Sequence, residues 1–314
     1  MARVLIAGCG YVGVALGELL ARRGDTVLAL RRRVALLPAD LTPIAADLGD
    51  PRSLGALPSS LDAVVYAAAP ASGDEAAYEA VYQRGLANLL DAVERRHARE
   101  APPRLVLLSS TSVYGQTRGE WVDETSPTVP LDFRGRLVLR GEEIIRASGM
   151  PAVALRLGGI YGPGRTSLVD SVRAGRAPRS RSAAPRFTNR IHRDDAAGAI
   201  LHLLDMVDPW RVPEAAPAAP GGASTGSSAS AATAAATYIG VDEEPAERDE
   251  VLLWLARRLG APSPSAAPAR RETTRVETNK RCSSAKLRAA GYRFRFPTFR
   301  EGYEDLLRQE VPGG

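Results

Sequence analysis

The chain opens on a short unbroken apolar run, Val4-Leu5-Ile6-Ala7, and then changes rhythm: Val14, Leu16, Leu19 and Leu20 recur at helical spacing before Gly24. The pattern predicts a buried strand, then a helix stopping near Gly24 with Arg22 and Arg23 in its last turn, then a second strand at Thr26-Val27-Leu28-Ala29-Leu30. The same alternation continues downstream. Strands are expected at 43–46, 62–69, 104–108 and 152–157, and a helix at 74–96 carries Tyr78, Val81, Tyr82, Leu86, Leu89, Leu90 and Val93 along its apolar side, with His97 as a charge at its end. Unbroken apolar strands are those covered on both faces, and strands alternating with helices at this spacing predict an α/β fold built on a doubly wound parallel sheet.

Beyond Tyr161-Gly162-Pro163-Gly164 the pattern loosens, as expected for a smaller C-terminal lobe that covers the sheet's crevice. Residues 1–160 are read as the main domain, with 189–213 and 236–242 returning to it, and 161–188 and 243–314 as the small lobe. A helix at 196–206 is expected to take Asp194 or Asp195 as its N-cap, which makes these acids structural. Residues 214–235 are almost entirely Ala, Pro, Gly, Ser and Thr, too poor in large apolar groups to fold, and read as a disordered insertion. A strand at 238–241, a helix at 248–259 and two small docking elements, Lys286-Leu287-Arg288 and 297–302, follow.

Composition narrows the function more by exclusion than by assertion. The 314 residues are 45% hydrophobic and 25% charged, an ordinary globular balance. The formal charge of +5 is carried by scattered arginines, since Lys280 and Lys286 are the only lysines, so no nucleic-acid patch is read from it. Cys9 and Cys282 make no disulfide framework, and His97, His192 and His202 show no metal-ligand spacing; no metal is expected, and the compartment is expected to be reducing cytoplasm. Ile6-Ala7-Gly8-Cys9 imitates a lipoprotein cleavage site, but only four apolar residues precede the glycine, short of the roughly 7–15 that an export signal needs. No stretch reaches the length of a membrane span.

The candidate chemistry begins at Gly8-Cys9-Gly10-Tyr11-Val12-Gly13, between the first strand and the first helix. That order suits a phosphate cradle: Gly8 makes a tight turn, Gly10 leaves room for a pyrophosphate, and Gly13 lets the helix lie close on the sheet. The helix N-terminus then offers unpaired N–H groups. The second strand ends directly before Arg31-Arg32-Arg33, and no acid lies between Asp25 and Asp40. A carboxylate there would bind a ribose 2′-hydroxyl, whereas arginine favours a 2′-phosphate, so NADP(H) is expected in preference to NAD(H). Asp47-Leu48 is placed to meet an adenine edge, although Asp47 could equally start the next turn. Ala67-Ala68-Ala69 lets a flat ligand approach the backbone, and the hydroxyls of Ser109 and Ser110 face the crevice.

Taken together, the glycine turn, Asp47-Leu48, Ala67 to Ala69, Ser110 to Gly115, Arg156 to Pro163, His192 to Asp195 and the carboxyl-terminal docking segment resemble the extended short-chain dehydrogenase/reductases, the NAD-dependent epimerase/dehydratase group. The resemblance implies a Rossmann domain with a small substrate lobe, a nicotinamide cofactor, a small-molecule substrate of carbonyl or sugar type, and often a homodimer formed through helices. It also implies a Tyr-x-x-x-Lys pair assisted by a Ser or Thr. Ser110 matches the hydroxyl, but no lysine precedes Lys280 and no tyrosine lies between Tyr114 and Tyr161. The segment from Phe133 to Glu142 occupies the place of that pair, as in an atypical subgroup of the family. Two readings follow. One is an oxidoreductase or epimerase with a rebuilt proton relay, with Ser110, Tyr161 or a water carrying the proton and Arg136 or Arg140 the positive charge. The other is a catalytically silent NADP(H)-binding protein that reports cofactor state to a partner.

Overall fold

The computed structural model describes residues 1–97, 101–180, 184–206, 236–266 and 277–310; the insertion expected at 214–235 lies outside them. The first apolar run forms β1 (Arg3–Ala7), followed by α1 (Tyr11–Arg22), β2 (Thr26–Arg31), β3 (Thr42–Ala45) and β4 (Ala63–Tyr66). A long helical segment comprises α2 (Glu75–Glu79), a π-helical turn (Ala80–Gly85) and α3 (Leu86–His97). Then come β5 (Arg104–Ser110), β6 (Glu120–Val122), α4 (Phe133–Ala147), β7 (Ala152–Leu157), β8 (Gly159–Tyr161), α5 (Ser167–Arg173), β9 (Phe187–Thr188), β10 (Arg190–His192) and α6 (Arg193–Asp205). The chain finishes with β11 (Ala236–Gly240), β12 (Ala246–Glu247), α7 (Arg248–Leu259), β13 (Lys280–Cys282), α8 (Ala285–Ala289) and α9 (Phe299–Glu310).

Seven strands form one parallel sheet in the order β11-β7-β5-β4-β1-β2-β3. Successive side chains of a strand point to opposite faces, so β1 divides its residues between two cores. Val4 and Ile6 pack with α1 and α6, while Leu5 and Ala7 pack with α3 and α4. The order reverses between β1 and β4: the chain runs outward from β1 to β3 and returns to the other side of β1. At such a switch point the connecting loops part and leave a crevice beyond the carboxyl ends of the strands.

A separate apolar cluster joins α5, α7 and α9 through Val169, Val172, Val251, Leu255, Phe299 and Leu306. The stretch containing Leu287, Tyr292 and Phe294, expected in the small lobe, instead packs in the core that α1 and α6 share with the large sheet. Asp195 explains part of that docking. Its buried carboxylate accepts from the backbone N–H groups of Arg295 (2.7 Å) and Phe296 (2.9 Å) and from the Tyr292 hydroxyl (2.9 Å).

Two boundaries differ from the sequence pattern for identifiable reasons. The N-cap of α6 is His192, whose Nδ1 accepts from Asp194 N at 3.2 Å, and not Asp194 or Asp195. The helix expected at 74–96 is interrupted by the π-turn. The Tyr66 hydroxyl donates to the Val81 carbonyl at 2.7 Å, drawing that carbonyl sideways, and Gly85 has no side chain to oppose the wider turn. Asp74 caps this segment by accepting from Ala77 N at 2.9 Å. Among the described residues no helix is long and apolar enough to cross a membrane, and no cluster of ligating side chains could hold a metal ion.

Candidate functional site

The carboxyl ends of β1, β2, β4, β5 and β7 open into a cleft of about 530 Å³. Gly8 begins its floor with φ +83°, in the left-handed region, and a β-carbon there would lie 2.3 Å from Ala68 Cα. Only glycine satisfies both the dihedral and the contact. The turn is then fixed by Gly8 N and Cys9 N donating to the Leu30 carbonyl at 2.9 and 3.0 Å, which ties the ends of β1 and β2 together. Gly10 faces open space, since a β-carbon there would meet only Gly8 O at 3.8 Å. Gly13 points the other way: a β-carbon would press on Ile6 Cγ2 at 3.0 Å, so its absence lets α1 settle on the sheet. No side chain caps the first turn of α1, so its free amides face the cleft.

Gly8, Gly10, Tyr11, Val12, Arg31, Arg32, Asp47, Leu48, Ala67, Ala68, Ala69, Ser109 and Ser110 all line this cleft. Gly13 lies behind it, in the packing role just described. Asp47 has two jobs: it lines the cleft and its Oδ1 accepts from Gly49 N at 2.9 Å, so it also makes the turn. Arg31, Arg32 and Arg33 line one wall, and among the described residues none of them is in an ion pair.

Sequence patterns missed three contributors. Arg165 reaches the cleft from the loop after β8 and stacks over the Tyr11 ring at 4.1 Å, a cation–π contact no local motif announces. Ala80, Val81 and Tyr82 enter through the π-turn, and Gly158 through the end of β7. The apolar stretch at Tyr82 was visible, but its orientation depends on the turn. Cys9 also lines the cleft, yet burial pushes its thiol up to about 11, which keeps it protonated and inert at neutral pH.

Behind Ser109 lies a buried polar network. Glu142 on α4 accepts from Ser109 Oγ (2.6 Å), from Arg156 Nε and Nη2 (2.9 and 2.7 Å) and from Arg146 Nη2 (2.8 Å). Arg156 Nη1 also donates to the Tyr114 hydroxyl at 2.7 Å, and that hydroxyl donates to the Asp123 carbonyl. Burial pushes Tyr114 up to about 12 despite the neighbouring guanidinium, so it acts as a neutral tether. The network locks β5, β7 and α4 together beside the cleft.

Three expected catalytic side chains are elsewhere. Tyr161 does not line the cleft: its ring packs against Tyr303 (4.5 Å) and His192 (5.4 Å), its hydroxyl is buried beside Gly302, and burial drives its pKa upward. Tyr303 and Gly302 of α9 close over it. Arg136 is exposed on the outer side of α4, and Arg140 pairs with Glu143 at 2.8 Å on the same surface. The reason is the turn of the helix, which directs Leu137 and Val138 inward and these arginines to solvent. Ser110 alone of the four candidates is at the site, its Oγ accepting from Ser112 N at 3.1 Å. Gly135 presses α4 against the Ser110 turn so closely that a β-carbon would lie 2.4 Å from Ser112 O.

Residues 4–214 match the NAD dependent epimerase/dehydratase family. The chain is 29% identical over 216 residues to Protein YeeZ of Escherichia coli (strain K12), covering 65% of this chain and 73% of that protein. It is 27% identical over 328 residues to the 3-diazoavenalumate denitrifying reductase of a Streptomyces species, covering 96% and 98%. Among solved structures, an NAD-dependent epimerase/dehydratase assigned in Methylobacillus flagellatus superposes with a TM-score of 0.73 at 32% identity over 98% of both chains. The human epimerase family protein SDR39U1 with NADPH (TM-score 0.71, 21% identity, 98% of this chain and 99% of that one) shares the fold. The switch-point cleft, the glycine cradle at its floor and these matches lead to one assignment: the chain belongs to the NAD-dependent epimerase/dehydratase family.

Proposed function

We propose that this protein binds NADP(H) in the switch-point cleft and uses it as an atypical oxidoreductase or epimerase/dehydratase on a small carbonyl or sugar-type substrate. The observation that carries the reading is the wall formed by Arg31, Arg32 and Arg33, three guanidinium groups with no ion-pair partner among the described residues, where an NAD-preferring site has an acid. The cradle fits the group: Gly8 and Gly13 are filled by the fold itself, and only Gly10 opens onto free space. In this reading the α1 amides and Arg165 hold the pyrophosphate, Arg31 and Arg32 the 2′-phosphate, and Asp47 and Leu48 the adenine edge. The nicotinamide, when bound, accepts or supplies a hydride. Ser110 binds the substrate oxygen, and Ser109 is held by Glu142 so that the strand end cannot yield.

Calorimetry with NADPH and NADH tests the cofactor. NADPH is expected to bind at least tenfold more tightly, and the double variant R31A/R32A to lose that preference while keeping NADH affinity. Tighter NADH binding by the wild-type protein would overturn the assignment.

The absence of Tyr and Lys from α4, and the contact of Gly135 with Ser112, favour a second reading, a catalytically silent NADP(H)-binding protein. A sensor must bind reduced and oxidised cofactor differently. Absorbance of NADPH followed with a panel of aldehydes, ketones and sugar nucleotides separates the two: turnover excludes the silent protein, and NADPH binding without turnover of any of them counts against the enzyme.

A further inference from the structure

Next to the cofactor cleft is a second cavity, of about 390 Å³, which shares Ser110 and Gly158 with it. Its lining is unlike the first. Arg186, Arg248 and Lys280 contribute to it together with the hydroxyls of Ser112 and Thr188, and no carboxylate among the described residues lines it. The two arginines already have partners, Arg186 in Glu277 and Arg248 in the Pro178 carbonyl and Asp249. Lys280 has none: only 5% of it is exposed, and among the described residues its ammonium makes neither an ion pair nor a side-chain hydrogen bond.

The position is built rather than incidental. Asn189 grips the strand on either side of the lysine, donating to the Lys280 carbonyl at 3.0 Å and accepting from Cys282 N at 2.7 Å. Asn279, one residue before, accepts from Phe187 N at 2.9 Å and donates to the Pro185 carbonyl at 2.9 Å. Lys280 itself pairs with Glu120 in the β6–β13 ladder. The backbone that carries the lysine is thus fixed from three directions. Burial of an unpaired ammonium is unfavourable, and burial holds Lys280 below its ordinary range even though Asp132 and Cys282 act in the opposite sense. Such a charge is relieved when a ligand brings the counter-charge.

The geometry points to this second cavity as the substrate pocket, and to a substrate carrying an oxyanion, a carboxylate or a phosphate, that pairs with Lys280. This assignment rests on the proposed cofactor cleft only for the word substrate. The anion site stands on its own contacts.

The chain has two lysines, so a sample labelled with ¹³C at lysine Cε gives two signals. Lys286, whose Nζ donates to the Thr237 carbonyl at 2.8 Å, serves as the internal reference, and K286R leaves the Lys280 signal alone for assignment. Nucleotide-free protein is titrated at fixed pH with sodium acetate and with inorganic phosphate, while calorimetry on the same sample measures NADPH. The Lys280 signal is expected to shift saturably at about millimolar anion, with Lys286 unmoved. Saturation by acetate alone assigns a carboxylate substrate, and by phosphate alone a phosphorylated one. A Lys280 signal that moves with neither anion, or only in parallel with Lys286, overturns the inference even if NADPH binds. A shift at Lys280 without NADPH binding sustains the anion site and defeats the proposed cofactor.

Discussion

Two glycines of one turn illustrate how differently residues of the same type constrain the molecule. Gly8 combines a positive φ with a 2.3 Å approach to Ala68, so Gly8→Ala is expected to destabilise the fold by about 3 kcal/mol or more, read by urea unfolding. Gly10 has neither constraint. Gly10→Ala is expected to change stability by less than about 1 kcal/mol yet to weaken NADPH binding at least tenfold, because the added methyl enters the cleft. Equal affinity of G10A and wild type would mean that the pyrophosphate lies elsewhere.

Two buried titratable groups set opposite pH slopes. Burial lowers His192 to about 4, outweighing Asp194 and Asp305, while Arg193 and Arg295 act with burial; its neutral imidazole accepts the capping N–H of Asp194. The unfolded chain then binds the proton more strongly than the folded one, so this contribution is complete above about 6.5 and fades as pH falls toward 4. Asp242 is the reverse. Burial raises it to about 8, only partly offset by Arg190, so stability is lost as pH rises from the ordinary carboxylate range through 8. The two slopes oppose each other between about 4 and 6.5, so urea midpoints measured from pH 4 to 9 are expected to stay level up to about 6.5 and to fall from there to about 8, with D242N removing the alkaline fall and H192N tilting the acid limb so that midpoints fall from pH 4 onward. An unchanged acid limb in H192N would show that another group governs it.

At the scale of elements, α4 is held to the sheet by charge as well as by apolar contact. Glu142 is fully buried and satisfies both Arg156 and Ser109. Glu142→Gln leaves the Arg156 guanidinium buried without its counter-charge and is expected to cost about 3–5 kcal/mol, measured by denaturant unfolding. Retained stability would mean that water or Tyr114 replaces the carboxylate. That the segment from Phe133 to Glu142 stands in the place of the family's Tyr-x-x-x-Lys pair was legible in the sequence, and so was the absence of Tyr and Lys. The pairing of Glu142 with a strand residue 14 positions away was not, because nothing local distinguishes a buried acid from a solvated one. The π-turn was hidden for the same reason: the hydroxyl that reaches the Val81 carbonyl comes from a strand 15 residues earlier.

At the scale of the molecule, binding in the cleft ties together the ends of β1, β2, β4, β5 and β7. A ligand that binds only the folded state stabilises it by about 2.7 kcal/mol at a hundredfold excess over its dissociation constant. NADPH is therefore expected to raise the thermal midpoint, and R31A/R32A to abolish the difference between NADPH and NADH in that shift. An equal shift by the two nucleotides in the wild type would deny the arginines a role in cofactor choice.

The sequence by itself determined the alternation of strands and helices, the glycine cradle and the run of arginines beside it, because each is a local pattern whose physics is contained in a few neighbouring residues. It also determined what is missing, since a residue type absent from a segment is absent in any fold. Only the tertiary structure decided that Tyr161 is enclosed and Arg136 exposed, that Arg165 stacks on Tyr11, and that Lys280, without an ion pair among the described residues, lines a cavity sharing Ser110 with the cleft. Burial and pairing of a side chain are set by elements far away in the chain, and the sequence alone does not say which of them will meet it.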